Sequence, residues 1–223
     1  MKKILFLFLL CCPLMCAAQS EWELPTAQQD NKNATNDNKK QTEAGKTDAS
    51  KTAEIKDWQY IKEGAVPEVD GKVVFEHDIE FKGKTAQQIY DLAYTALDSL
   101  AHSDNQINSN IALINRKEHS IVARYQEWLV FSKSFISLDR SKFNYVIIAK
   151  CDNEKLHISM ERMSFSYEEG RSTGFHETAE KWIADKYAVN KKRTKLIPGT
   201  AKFRKGTIDR KDEIFRYIEK KMK

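Results

Sequence analysis

The chain reads as an α+β protein, an antiparallel sheet with helices on one face, in the order strand, helix, four strands, helix, with a helical C-terminal extension. Three observations predict this. Apolar residues alternate with polar ones in several segments, the period of strands buried on one side. Other segments carry apolar residues at three- and four-residue steps, the stripe of an amphipathic helix. The later strand segments are separated by short turn-forming clusters, as in a meander with helices layered against it.

The first strand is VVFEHDIEF. Asp70-Gly71 marks a turn before it, and Val73, Phe75, His77, Ile79 and Phe81 alternate along it. KTAQQIYDLAYTALDSLAHS is the first helix. Thr85 and Gln88 have the spacing of a capping box, and Ala86, Ile89, Ala93, Leu97 and Leu100 form one stripe ended by Asp104-Asn105. Four strands follow. Asn110 to Asn115 and Ser120 to Phe131 flank the turn Arg116-Lys-Glu-His, and Lys142 to Cys151 and Lys155 to Ser166 flank Asp152-Asn-Glu. Glu168 to Gly174 breaks the alternation. A second helix is predicted through FHETAEKWIADKYA, with Phe175, Ala179, Trp182 and Ile183 on one side. After a basic segment interrupted by Pro198-Gly199, a third is predicted over Asp209 to Met222 on the stripe Ile214, Phe215, Ile218 and Met222.

Residues 1–18 have the layout of a secretory signal peptide: Lys2 and Lys3, an apolar run from Ile4 to Leu10, then Cys16, Ala17 and Ala18. Cleavage is expected between Ala18 and Gln19. The apolar run is shorter than the roughly 20 residues of a membrane span. A lipid anchor would use Cys16, but Met15 stands where a small residue is wanted, so lipidation is not expected. The protein is therefore expected to be exported, periplasmic or secreted. Residues 19–56 are rich in Asn, Asp, Lys, Thr and Gln and read as a disordered low-complexity tether, because they cannot bury enough apolar surface to offset their ordering entropy. Residues 57–223 form the folded domain.

Composition narrows function mainly by exclusion. Only 8 Gly and 4 Pro among 223 residues exclude collagen-like architectures. After the signal, Cys151 is the sole cysteine, so no internal disulfide is expected, and its alternating apolar surroundings mark a buried thiol. Phosphate loops, dinucleotide fingerprints, a G-x-S-x-G elbow and a Cys-His signature are all missing from the sequence. His176-Glu-Thr-Ala-Glu180 resembles half of a zincin helix, but its second ligand position is Glu180, and no metal or cofactor is expected. The acidic pairs Asp78/Glu80 and Glu168/Glu169 could serve glycoside hydrolysis only across a cleft of fixed width, and are read as solvated. The aromatic residues are read chiefly as core.

Charge is unevenly spread. The formal balance is +5, falling to +3 once Lys2 and Lys3 leave with the signal. From Lys186 onward basic residues far outnumber the acids Asp209, Asp212, Glu213 and Glu219. Lys191, Lys192, Arg193, Lys195, Lys202, Arg204 and Lys205 are the candidate anion-binding surface. Export argues against nucleic acid as the partner and favours anionic envelope surfaces.

Three strings, PEVDGKVVFEHDIEF, KTAQQIYDLA and FRKGTIDRKDEIFRYI, resemble a family of exported Bacteroidota proteins of unknown function, over about Val66 to Lys223. The resemblance implies a fold like that of the TATA-binding protein (TBP-like), whose element order matches the reading above. It implies no activity and carries no site residues, and a shared fold does not carry DNA binding with it. The expected function is non-catalytic binding in the cell envelope, with a protein partner or an apolar ligand on a concave sheet face. The alternative is a hydrolase acting on envelope polymers.

Overall fold

The computed structural model describes residues 57–223. The expected signal peptide, its expected cleavage position at Ala18 and Gln19, and the expected tether lie outside the described residues. Residues 57–61 are helical (α1). A small hairpin follows, β1 (Glu68–Val69) and β2 (Lys72–Val73), turning at Asp70 and Gly71, both at positive φ. Then come β3 (Phe75–Glu80), α2 (Ala86–Ala101), β4 (Asn110–Asn115), β5 (Ser120–Lys133), β6 (Leu138–Asp152) and β7 (Lys155–Tyr167). The chain ends with β8 (Phe175–Thr178), the short α3 (Ala179–Trp182) and α4 (Asp185–Ala188), and the long α5 (Pro198–Met222).

The main sheet runs β3-β7-β6-β5-β4, antiparallel throughout, and β8 adds a sixth strand on β7. Register places β3 against Lys155–Met160 and β8 against Ser164–Tyr167, so β8 takes up the edge of β7 where β3 leaves it.

One face of the sheet is the core. Ile121, Ala123, Tyr125 and Leu129 of β5, Phe143, Tyr145, Ile147 and Ala149 of β6, and Ile158, Met160 and Phe165 of β7 are all buried. They meet Ile89, Ala93, Leu97 and Leu100 of α2 and Phe203, Ile214, Phe215 and Ile218 of α5 in one cluster. The capping box of α2 forms as expected: the Gln88 backbone N–H donates to Thr85 Oγ1 at 3.3 Å, and the Thr85 N–H to Gln88 Oε1 at 2.9 Å. Across the interface between sheet and helix, the Tyr125 hydroxyl donates to the Leu97 carbonyl at 2.9 Å.

Three element assignments are corrected. FHETAEKWIADKYA is not one helix: residues 175–178 form β8, because the free edge of β7 offers a ladder to them, and only Ala179 onward turns helical. The last helix begins at Pro198, eleven residues before the expected Asp209. Proline is at home in a first helical turn, where its missing N–H would have no intrahelical partner. Gly206 then allows close approach to the sheet: a Cβ there would stand 3.4 Å from side-chain carbons of Leu129 and Phe131. Finally, β5 and β6 run past their expected ends at Phe131 and Lys142, forming a longer hairpin. Among the described residues, no helix is long and apolar enough to cross a membrane.

Candidate functional site

Because α2 and α5 both pack on the core face, strand alternation turns the other set of side chains to a face that the long helices leave open. Val122, Gln126 and Trp128 of β5 lie there, with Asn144, Val146 and Ile148 of β6, all half-buried. Exposed Arg124, Arg140 and Arg162 frame them. Gln126 donates to Asn144 Oδ1 at 2.8 Å, and Asn144 to Ser164 Oγ at 3.2 Å, so a polar rung crosses three strands. The Arg140 guanidinium carbon lies 3.6 Å from the centroid of the Trp128 ring, a cation–π contact. Register is interrupted between Asn144 and Val146, and Arg162, at φ 54°, is the extra residue opposite.

Two depressions mark this face. One of about 210 Å³ is bounded by Arg124, Gln126, Asn144, Val146 and Arg162. Another of about 700 Å³ lies toward the hairpin, bounded by Trp128, Arg140, Lys142, Ser166, Glu168 and Arg171. A wider groove of about 870 Å³ runs between α5 and β3, where His77 stacks on Phe215 with ring centroids 5.5 Å apart.

The seven basic residues singled out from sequence do not form one surface. Arg204 is fully buried and is removed from it. Its Nε donates to the Tyr60 carbonyl, its Nη1 to the Ile183 carbonyl and its Nη2 to Asp185, each at 2.6 Å. Once α5 starts at Pro198, the reason is visible in the spacing: Thr200, Phe203, Arg204 and Thr207 share one buried stripe. Arg193 is also turned inward, pairing with Asp185 at 2.8 Å and donating to the Ile61 carbonyl at 3.1 Å. Lys202 is held by Asp139 and by the Tyr167 hydroxyl at 2.8 Å, and those partners raise its pKa against the opposing pull of burial. Lys205 pairs with Asp57. Lys191, Lys192 and Lys195 are exposed on a turn shaped by Asn190, whose Oδ1 accepts from the Thr194 and Lys195 N–H groups.

The half-zincin pattern dissolves with its helix. His176 stands on β8, 2.8 Å from Ser166 through Nδ1, while Glu180 on α3 accepts from the Val73 N–H at 3.1 Å. Among the described residues, no three His, Cys, Asp or Glu side chains converge as metal ligands would. Lys155 and His157 bind Asp78 and hold its carboxyl below the usual range. Thr173 and Arg171 do the same for Glu168, which therefore stays ionised. Burial pushes the Cys151 thiol up to about 12.

Sequence reasoning missed the most buried charged pair. Glu127 is wholly enclosed and receives Arg210 through Nε and Nη2, each at 2.8 Å, together with Asn105 at 2.8 Å and Gln106 at 2.5 Å. The detectable signal was Glu127 falling on the inward register of an otherwise apolar alternation, after Ala123 and Tyr125.

Comparison with known proteins places the architecture. Residues 75–166 match a domain of unknown function, DUF4468, described as having a TBP-like fold. The crystal structure of a DUF4468 family protein from Bacteroides ovatus is 38 % identical, covering 74 % of this chain and 94 % of that one, with a TM-score of 0.69. A TBP-like protein from Parabacteroides distasonis is 18 % identical over 70 % of this chain and 96 % of its own, with a TM-score of 0.58, a likeness of fold. No curated protein matches the chain.

Proposed function

The chain belongs to the DUF4468 family, and from the geometry of its sheet and the layout of its first eighteen residues we propose that it is a non-catalytic binding protein of the bacterial cell envelope. The open sheet face holds a protein partner. The observation that carries this reading is the sidedness of the sheet: Val122, Val146, Ile148 and Trp128 lie half-buried on the face left by the long helices, between Arg124, Arg140 and Arg162. Apolar side chains interleaved with a polar rung and exposed arginines make a mixed surface of the kind that non-obligate protein interfaces use. An apolar small-molecule site fits less well, because the depression at Val146, about 210 Å³, is smaller than the 300–1,000 Å³ typical of ligand pockets, and the one of about 700 Å³ is lined mainly by charged and polar side chains such as Asp139, Arg140, Lys142, Glu168, Glu169 and Arg171. The signal-peptide layout of residues 1–18 supports the envelope placement. Lys191, Lys192 and Lys195, the part of the basic segment left exposed, supply attraction to anionic envelope surfaces.

Native mass spectrometry on protein recovered from its host's envelope tests this. The expected result is a hetero-complex of fixed stoichiometry that the double variant Val146→Glu/Ile148→Glu no longer forms, with unchanged circular dichroism. A monomer in both cases overturns the reading, and a small-molecule adduct replaces the protein partner with an apolar ligand.

A second reading, hydrolysis of envelope polymers, rests on one observation: Ser166 Oγ lies 2.8 Å from His176 Nδ1 beside the cleft of about 700 Å³. Labelling by a fluorophosphonate probe that Ser166→Ala abolishes would establish it, and an unlabelled wild-type protein would dismiss it.

A further inference from the structure

The β5–β6 hairpin extends beyond the sheet that anchors it. The β4 ladder on β5 ends at Arg124, and the β7 ladder on β6 ends at Ser141. Past those points Val130 to Lys133 pair only with Leu138 to Arg140. The turn is ordered by its serines: the Ser134 N–H donates to the Ser137 carbonyl at 2.8 Å, and the Ser137 N–H to Ser134 Oγ at 3.1 Å. Phe135 and Ile136 occupy the two central positions, and their exposures are 104 % and 91 %. Val130 and Leu138, about half exposed, continue the apolar surface down the arms. Neither Phe135 nor Ile136 does anything for the fold, and an exposed apolar patch of this kind marks an interaction site.

Charge around the tip has one sign. The stretch from Trp128 to Leu138 contains no acid and carries Lys133. At the base the acids are already taken: Asp139 by Lys202 and Tyr167, Glu169 by Lys142, and Glu168 by Arg171 and Thr173. Arg140 stays exposed, flat against Trp128. The path of α5 gives the direction of this end. Arg210 lies level with Glu127, Gly206 with Leu129 and Phe131, and Lys202 with Asp139, so the helix N-terminus points the same way as the hairpin tip. Half-exposed Ile197 precedes it.

We propose that this tip is a membrane-docking prong: Phe135 and Ile136 enter the boundary between headgroups and acyl chains of an anionic bilayer, with Lys133 at the phosphates. Aromatic residues and basic side chains are the ordinary anchors of that interface. A second copy of the chain fits less well. Two tip side chains bury a few hundred Å² at most, far from the roughly 1,200 Å² at which stable protein interfaces begin, whereas a bilayer accepts an apolar prong without shape complementarity. The proposal rests on the envelope reading only for where the protein meets a bilayer, and its test does not depend on the open sheet face.

Protein purified after expression of the full chain is floated with vesicles of phosphatidylcholine containing a quarter phosphatidylglycerol, and with phosphatidylcholine alone. The wild type is expected to float with the anionic vesicles, less at high salt and less with the neutral ones. Phe135→Ser/Ile136→Ser should reduce flotation by about tenfold or more with an unchanged melting temperature, since both side chains are already in water. Phe135→Trp should keep the wild-type flotation and add a blue-shifted, bromolipid-quenched emission. Equal flotation of wild type and double variant overturns the proposal, as does no flotation of the wild type. A wild-type dimer that the double variant converts to monomer also overturns it, in favour of self-association. If flotation depends on Lys191, Lys192 and Lys195 but not on the tip, the envelope reading stands and the prong falls.

Discussion

Replacing Arg204 by methionine separates a surface arginine from a structural one. Methionine keeps most of the apolar stem and removes three charge-assisted hydrogen bonds, to the carbonyls of Tyr60 and Ile183 and to Asp185. Asp185 keeps Arg193 as a partner and is a quarter exposed, so its loss is cushioned. The two carbonyls carry most of the cost, at about 1–3 kcal/mol for each buried group left unmade. Relief of the guanidinium's desolvation offsets part of this, leaving about 3 kcal/mol. With a urea slope of about 2 kcal/mol/M, the unfolding midpoint should fall by about 1.5 M. Circular dichroism against urea reads it directly, with Lys191→Ala/Lys192→Ala/Lys195→Ala as the control. That triple variant changes exposed side chains and should move stability by less than about 0.5 kcal/mol. A midpoint shift below about 0.5 M for Arg204→Met would refute the clasp and return Arg204 to the surface.

Other consequences are equally direct. Glu127→Gln removes the enclosed carboxylate from Arg210, which is a fifth exposed and keeps Glu213 at 3.1 Å, and should cost about 2–3 kcal/mol in urea unfolding, below the about 3–5 kcal/mol of a fully buried pair, whereas Glu127→Leu/Arg210→Met should recover at least half of that loss. Cys151, the sole cysteine beyond residue 16, should stay silent toward a disulfide reagent at pH 8 in the native protein lacking the signal and react fully in guanidinium, because burial holds its pKa near 12. Burial, reinforced by Asp209, raises Tyr60 from 10.0 to about 12. Its folded-state preference is for the neutral phenol, so the stability it lends is complete below pH 10 and is lost as pH climbs through 12, by up to about 2–3 kcal/mol. Urea midpoints should therefore fall less steeply between those limits in Tyr60→Phe than in the wild type.

The central strands and α2 were legible because one residue at a time decided them: strict alternation in Phe143 to Ala149, and a capping box whose two partners lie within one turn. The elements that escaped depend on distant chain. Phe175, Ala179, Trp182 and Ile183 have helical spacing, yet residues 175–178 extend because β7 has a bare edge beyond β3, which no local pattern reports. Pro198 was read as an interruption although it opens α5, and that displacement hid the register that buries Arg204. The strands expected to end at Phe131 and to begin at Lys142 continue to Lys133 and from Leu138, because the serines of this span interrupt the alternation that a hairpin projecting beyond the sheet does not need. The candidate surface was legible only as strands with an unknown outer side. Which face would be open depended on where two helices land.

That landing also explains why a count of basic residues overstates the basic surface left exposed. A long helix laid across a sheet must satisfy the charges it carries inward, and α5 does so by closing its own cations on carbonyls and carboxylates. Arg204 collects two carbonyls and Asp185, Arg210 closes on Glu127, and Lys202 joins Asp139 to Tyr167. Each bond spans elements far apart in sequence, so these charges hold the helix layer in one position and are unavailable to a partner. Among the described residues, Arg140 against Trp128 and Lys133 beside Phe135 pair with no carboxylate and stand next to apolar surface, while Lys191, Lys192 and Lys195 remain exposed on their turn. A basic residue is read for function by what already neutralises it, and that criterion is why the proposed contacts lie on the open face, its projecting hairpin and the exposed lysines rather than on the buried side of α5.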